Sequence, residues 1–141
     1  MSHLQSLIAN KLTNIDALRR AVDRMANAKI SLSVDETSIH GRISIGANYR
    51  QTLTVNYVGP KPILVENGKL QQGGLDLSAD NMFTDEVNRA FGVGASKLLE
   101  LYNREAAAIH YEEIYGQGCC TFYEHDETGK PMLEVAVPEN I

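Results

Sequence analysis

Glu105 and Glu112 are the residues whose type and spacing best suit chemistry. Seven residues apart, about two turns at the helical period, they project from one side of a single helix, flanking the face that carries Leu98, Tyr102 and Ile109. A carboxylate against apolar surroundings must be paired, hydrogen-bonded or protonated. The two therefore outline a ligand or acid/base pocket beneath that helix. The plainer alternative keeps them at a rim with the stem packed and the charge in water, or pairs them with an arginine of the first helix. A second candidate is Gly92-Val93-Gly94-Ala95-Ser96-Lys97 at the same helix's N-terminus. Free backbone N–H groups there, with Lys97, could hold a small anion, although the spacing is not that of a P-loop and a plain capped loop also accounts for it.

Other reactive side chains form weaker patterns. Arg50, Arg89 and Arg104 carry the fork that matches a phosphate, and nothing in the sequence chooses among them. His3, His40, His110 and His125 are scattered, without the spacing of a metal motif, so neither a metal nor a cofactor is expected. Cys119 and Cys120 are adjacent; on a strand they would point to opposite faces and remain two separate thiols, one buried and one nearer solvent. No nucleophile motif surrounds either one. Tyr111, Ile114 and Tyr115 lie off the helix's main apolar stripe. They imply a second packed surface, either a subunit interface or another layer of the fold.

The element that must position these groups runs from Ala95 to Tyr115, the longest stretch without Gly or Pro. Leu98, Leu101, Tyr102, Ala106 and Ile109 share its apolar face; Lys97, Glu100, Asn103, Arg104, His110 and Tyr111 fall mainly opposite. Ser96 is the expected N-cap, and Gly116 and Gly118 end the helix. An earlier helix, Ile15 to Ala26, opens on Asn14 and carries Ile15, Leu18, Val22 and Met25 as a core stripe. Between them, alternating apolar residues predict strands at 30–34, 39–45 and 52–57, with shorter pieces at 63–65, 70 and 75–77. A short helix from Thr84 to Ala90 follows. A closing hairpin flanks Asp126-Glu127-Thr128-Gly129-Lys130. Residues 3–12 fit either a helix or a strand.

With 141 residues and 43% hydrophobic content, the chain is the size of one α+β domain spanning 1–141, an antiparallel sheet packed on one face by two amphipathic helices. A net charge of -5 without a basic run argues against nucleic acid. No window is long and apolar enough for a membrane span and no secretory leader is evident, so a soluble, cytoplasmic protein is expected.

The start M-S-H-L, the segments I-D-A-L-R-R-A-V, E-N-G-K-L, L-D-L-S-A-D, L-Y-N-R-E-A-A and G-Q-G, and the closing L-E-V-A-V occur in this order. In that order the chain resembles the conserved hypothetical reading-frame family of cyanobacteria and red-algal plastids, a bacterial domain of unknown function. The resemblance implies a small α+β domain whose first segment is a strand. It also implies a MoxR-like AAA+ ATPase as a partner, and it brings no catalytic residues. The sequence thus points to a non-enzymatic module acting through self-association with a protein or small-ligand partner. The alternative is a small-molecule or nucleotide-binding protein, even an enzyme, with an anion site at Gly92, Gly94, Ser96 and Lys97 near Glu105.

Overall fold

The computed structural model describes residues 12–79 and 85–137. Asn14 caps the first helix, α1 (Ile15–Asp23), its side-chain oxygen accepting from the Ala17 N–H at 3.0 Å. Ile15, Leu18 and Val22 are buried as their spacing predicts, and Ala17 and Ala21 widen the stripe. The helix stops at Arg24 rather than Ala26, and Asn27 takes a left-handed conformation (φ 56°) that turns the chain into the first strand.

Four strands make the main sheet: β1 (Ala28–Val34), β2 (Ile39–Ile45), β3 (Gln51–Val58) and, after a small hairpin of β4 (Val65–Glu66) and β5 (Lys69–Leu70), β6 (Gly74–Ser78). All pairings are antiparallel, in the order β1-β2-β3-β6. The register places Ile30, Ile43 and Leu53 in one row and Leu32, Gly41, Val55 and Leu77 in the next. Because side chains alternate, these rows fall on one face and build the core, while Lys29, Arg42 and Asn56 stand exposed on the other. Gly41 has no room for a side chain: a Cβ would strike the Ser31 carbonyl oxygen and Leu32.

The β4–β5 turn, Asn67-Gly68, has φ of 54° and 76°, the conformation of a tight Asn-Gly hairpin. This hairpin docks on the start of α1, where the Ile15 N–H donates to the Gly68 carbonyl at 2.8 Å and the Leu70 N–H to the Thr13 carbonyl at 2.7 Å. Leu12 pairs with Leu75 on the outer edge of β6, which agrees with an extended segment at its last residue. Residues 3–11 of that segment lie outside the described residues, as does Thr84, the expected cap of the short helix α2 (Asp85–Phe91).

A single 3-10 turn, Val93–Ala95, leads into the long helix α3 (Ser96–Tyr115). Here one expectation is corrected: Ala95, at φ 62°, occupies the cap position without a side-chain hydrogen bond, and Ser96 is already helical. The buried face also differs, comprising Leu98, Leu99, Tyr102, Glu105 and Ala108, with Leu101, Ala106 and Ile109 half-buried. The reason is that α3 is covered from two directions. One side packs on α1, and the other meets a C-terminal hairpin of β7 (Cys120–Glu124) and β8 (Pro131–Val135), which makes no ladder with the main sheet. Leu98, Leu99 and Tyr102 complete one core with α1 and the sheet, the α+β arrangement expected from the sequence. The Tyr102 hydroxyl fastens the two helices by accepting from the Thr13 and Asn14 N–H groups at 3.1 and 2.9 Å. Among the described residues no helix is long and apolar enough to cross a membrane.

Candidate functional site

Arg20 and Arg24, four residues apart, share one side of α1, and Glu105 and Glu112 share the side of α3 that faces it. Helix packing brings the four together. Arg20 Nε donates to Glu105 Oε1 at 3.1 Å while its Nη1 donates to Glu112 Oε1 at 3.0 Å. Arg104 Nε donates to the other oxygen, Glu105 Oε2, at 3.1 Å, and Arg24 Nη2 lies 3.6 Å from Oε1. Glu105 is fully buried, and both of its oxygens are engaged by guanidiniums. The plainer reading of Glu105 and Glu112, pairing with an arginine of the first helix, describes this geometry. Arg104, expected to face solvent, has a side chain only 8% exposed.

Phe122, on the inner face of the C-terminal hairpin, closes the cluster. The guanidinium carbons of Arg24, Arg104 and Arg20 lie 4.3, 5.1 and 5.8 Å from its ring centroid. Planar, weakly hydrated guanidiniums are favoured over a lysine ammonium where stacking must be combined with bonds to a buried carboxylate. Three cations against two carboxylates leave one positive charge in excess, and Arg24, the most exposed of the three, carries it toward water. Burial alone would lower the Arg20 pKa; the hydrogen bond and charge of Glu112, then the charge of Glu105, outweigh it and raise the pKa. No buried side-chain nitrogen or oxygen among the described residues lacks a partner. The cluster is a satisfied electrostatic clamp between α1, α3 and the hairpin.

Beside the clamp lies an open cleft of ≈ 480 Å³, lined by Asp16, Arg19, Arg20, Ile109, Glu112, Glu113 and Gln117. Small-molecule sites of that size are mostly apolar, whereas five of these seven residues carry charge of mixed sign.

The glycine loop stands elsewhere. Lys97 and Glu105 are about 12 Å apart along the helix axis at 1.5 Å per residue, and Glu112 is about 10 Å further. The loop's donors also serve its own carbonyls: the Ala95 N–H donates to the Gly92 carbonyl at 3.0 Å, the Ser96 N–H to the Val93 carbonyl, and Lys97 Nζ to the Arg89 carbonyl at 3.1 Å. Gly94, at φ 64°, shapes the turn, and Gly92 is closed in by Ser96 and Lys97. Arg50 and Arg89 are exposed, so of the three arginines singled out in the sequence only Arg104 enters the clamp.

Tyr111 and Tyr115 stack with ring centroids 6.2 Å apart and planes 5° from parallel, and His110 meets Tyr111 edge-on. At 100° per residue they share the side of α3 that carries Arg104 and Ala108, the side the hairpin covers. The off-stripe surface is thus in part another layer of the fold. Ile114, 56% exposed, lies beyond it.

The two cysteines depart from the strand rule. Cys119 lies before β7 rather than in it, after Gly116 and Gly118 have turned the chain at φ of 92° and 86°, so alternation does not separate the pair. Their sulfurs converge to 3.5 Å, with Cys119 buried and Cys120 half-buried against the Ala108 carbonyl. Burial, then the hydrogen bond and charge of Cys119, then the charge of Glu112, push the Cys120 thiol up to about 11, against the pull of Arg20. Among the described residues no group of three or more His, Cys, Asp or Glu side chains is placed to hold a metal ion.

The sequence points to an arginine of the first helix as a partner here, and Arg20 and Arg24 fill that place. It does not point to Arg104 in this role, and nothing local announces that Phe122 crosses to them. Comparison of the chain with protein-family models, curated proteins and solved structures gives no match in any of the three.

Proposed function

We propose that the protein is a non-enzymatic binding module that self-associates through the C-terminal half of α3. The observation that carries this reading is Ile114, 56% exposed at the edge of the half-buried, stacked Tyr111 and Tyr115. Exposed apolar side chains beside aromatic rings are the composition of interface cores. The state of the charged groups favours the same reading. Glu105 is buried and occupied by cations, so it is a poor general base, which needs hydrogen-bond reach to a substrate proton. A heterologous partner, the MoxR-like AAA+ ATPase that the family resemblance implies, belongs to the same proposal as a protein that would engage the assembled module.

Sedimentation velocity across a hundredfold concentration range tests the self-association. The wild-type protein should sediment as an oligomer, and Ile114→Asp should shift it to a monomer with an unchanged far-UV circular dichroism spectrum. A wild-type protein that stays monomeric throughout the range would overturn the proposal.

A further inference from the structure

Cys119 and Cys120 take no part in the clamp or in the proposed interface, yet their sulfurs stand 3.5 Å apart at the foot of the exposed 116–118 loop. From this geometry we infer that the pair is a vicinal dithiol site for a trivalent thiophilic metalloid, a centre of the arsenic(III) or antimony(III) class, gripped by both sulfurs at once.

Three observations select that class. A direct disulfide is disfavoured because adjacent Cα atoms across a trans peptide are about 3.8 Å apart, short of the 4.4 Å at which ordinary disulfides begin. Inserting one atom between the sulfurs enlarges the ring and relieves that constraint, and the sulfurs already stand apart by more than a bond length. A zinc-like ion is disfavoured because it takes three or four protein ligands, and the described residues offer no third His, Cys, Asp or Glu at the pair. A trivalent metalloid needs only two sulfurs, since it brings its own third substituent.

The step balances without an oxidant. Phenylarsine oxide, Ph–As=O, condenses with two S–H groups: two As–S bonds form, the arsenic–oxygen bond breaks, and the two thiol protons leave on that oxygen as one water. Arsenic remains trivalent. The overall condensation consumes neutral thiols, the form in which the surroundings of Cys120 hold it.

Intact-mass spectrometry of the folded full chain with equimolar phenylarsine oxide tests the site. The expected result is one adduct per chain, equal to the reagent less one water, which survives excess 2-mercaptoethanol and is removed by 2,3-dimercaptopropanol. Because the second sulfur acts as an intramolecular ligand, Cys119→Ser and Cys120→Ser should each retain the adduct at least about 100-fold less well under the monothiol challenge. A single variant that retains it like wild type would overturn the inference. So would an adduct that the monothiol strips from wild type, or one that forms only in urea. A dichroism spectrum shared by wild type and both variants separates loss of the site from loss of the fold.

Discussion

Glu105→Gln tests the account of the clamp most directly, because it removes one charge and little volume. The cost depends on what each cation can do afterwards. Arg20 keeps its bond to Glu112, and its side chain is 32% exposed; Arg24 is 41% exposed and can turn to water. Each of these contributes no more than a surface pair, about 0–1 kcal/mol. Arg104 has less: besides Glu105 it holds a long bond from Nη1 to the Tyr123 carbonyl at 3.4 Å, which carries no charge. Its side chain is 8% exposed, and its Nε points at Glu105 Oε2. Stranding a buried cation by removing its partner costs about 3–5 kcal/mol, and an amide oxygen recovers part of that, so about 3 kcal/mol is expected for the substitution. In urea unfolding, with a slope of about 2 kcal/mol per molar, the midpoint should fall by about 1.5 M. The paired replacement Arg104→Met with Glu105→Met should restore most of the loss, since apolar side chains of similar volume substitute for a buried ion pair at little cost. Two results would refute the reasoning: a Glu105→Gln loss below about 0.5 kcal/mol, the size of an ordinary surface change, or a double variant no better than the sum of the singles.

Other consequences are open to measurement. Gly41→Ala should destabilise by at least about 1 kcal/mol more than Gly129→Ala, because a Cβ at Gly41 would strike backbone, the Ser31 carbonyl oxygen, whereas at Gly129 it would meet nothing; equal urea midpoints would count against it. Tyr102→Phe should lower stability by about 1–3 kcal/mol, since it strips the acceptor from two backbone N–H groups, and hydrogen exchange should quicken at Asn14 in particular. Iodoacetamide labelling of Cys120 should be slow at pH 8 and climb roughly tenfold per pH unit until about 11, the value to which its surroundings push it. Labelling at the rate of a free cysteine at pH 8 would show that the thiol is not held in its neutral form.

Much of the fold was legible because each element carries its own local signal. Asn14 before the Ile15–Leu18–Val22 stripe, the alternation through Ile39–Ile45, and Asn67-Gly68 between two short strands all act within a few residues, where caps, pleat and turn chemistry operate. The face of α3 was less legible, because helical periodicity assumes one buried side and this helix has two neighbours. That is why Glu105, polar by type, is fully buried while Ile109 is only half-buried, in the same class as Arg104. The carboxylates of the candidate site could be named from the sequence, but Phe122 could not, since its meeting with Arg24 depends on how a distant hairpin lands. The converging thiols were missed for a different reason: the strand begins one residue later than the pairing rule assumed.

The separation in sequence between the clamp's partners bears on the order in which the chain folds. Arg20 and Glu105 are 85 residues apart, and Arg20 and Glu112 are 92 apart. By contrast, β1, β2 and β3 form a meander of neighbouring hairpins. Short loops close at small entropic cost, whereas joining the two helices must wait until a long intervening chain has been gathered in. On that ground the meander is expected to form first and the clamp to engage late, as the latch on a structure already assembled. A latch that forms after the rate-limiting barrier leaves the folding rate almost untouched and governs how long the native state survives. Glu105→Gln should therefore speed unfolding and leave the folding rate almost unchanged in stopped-flow measurements, a latch that sets how long the fold lasts rather than how fast it is reached.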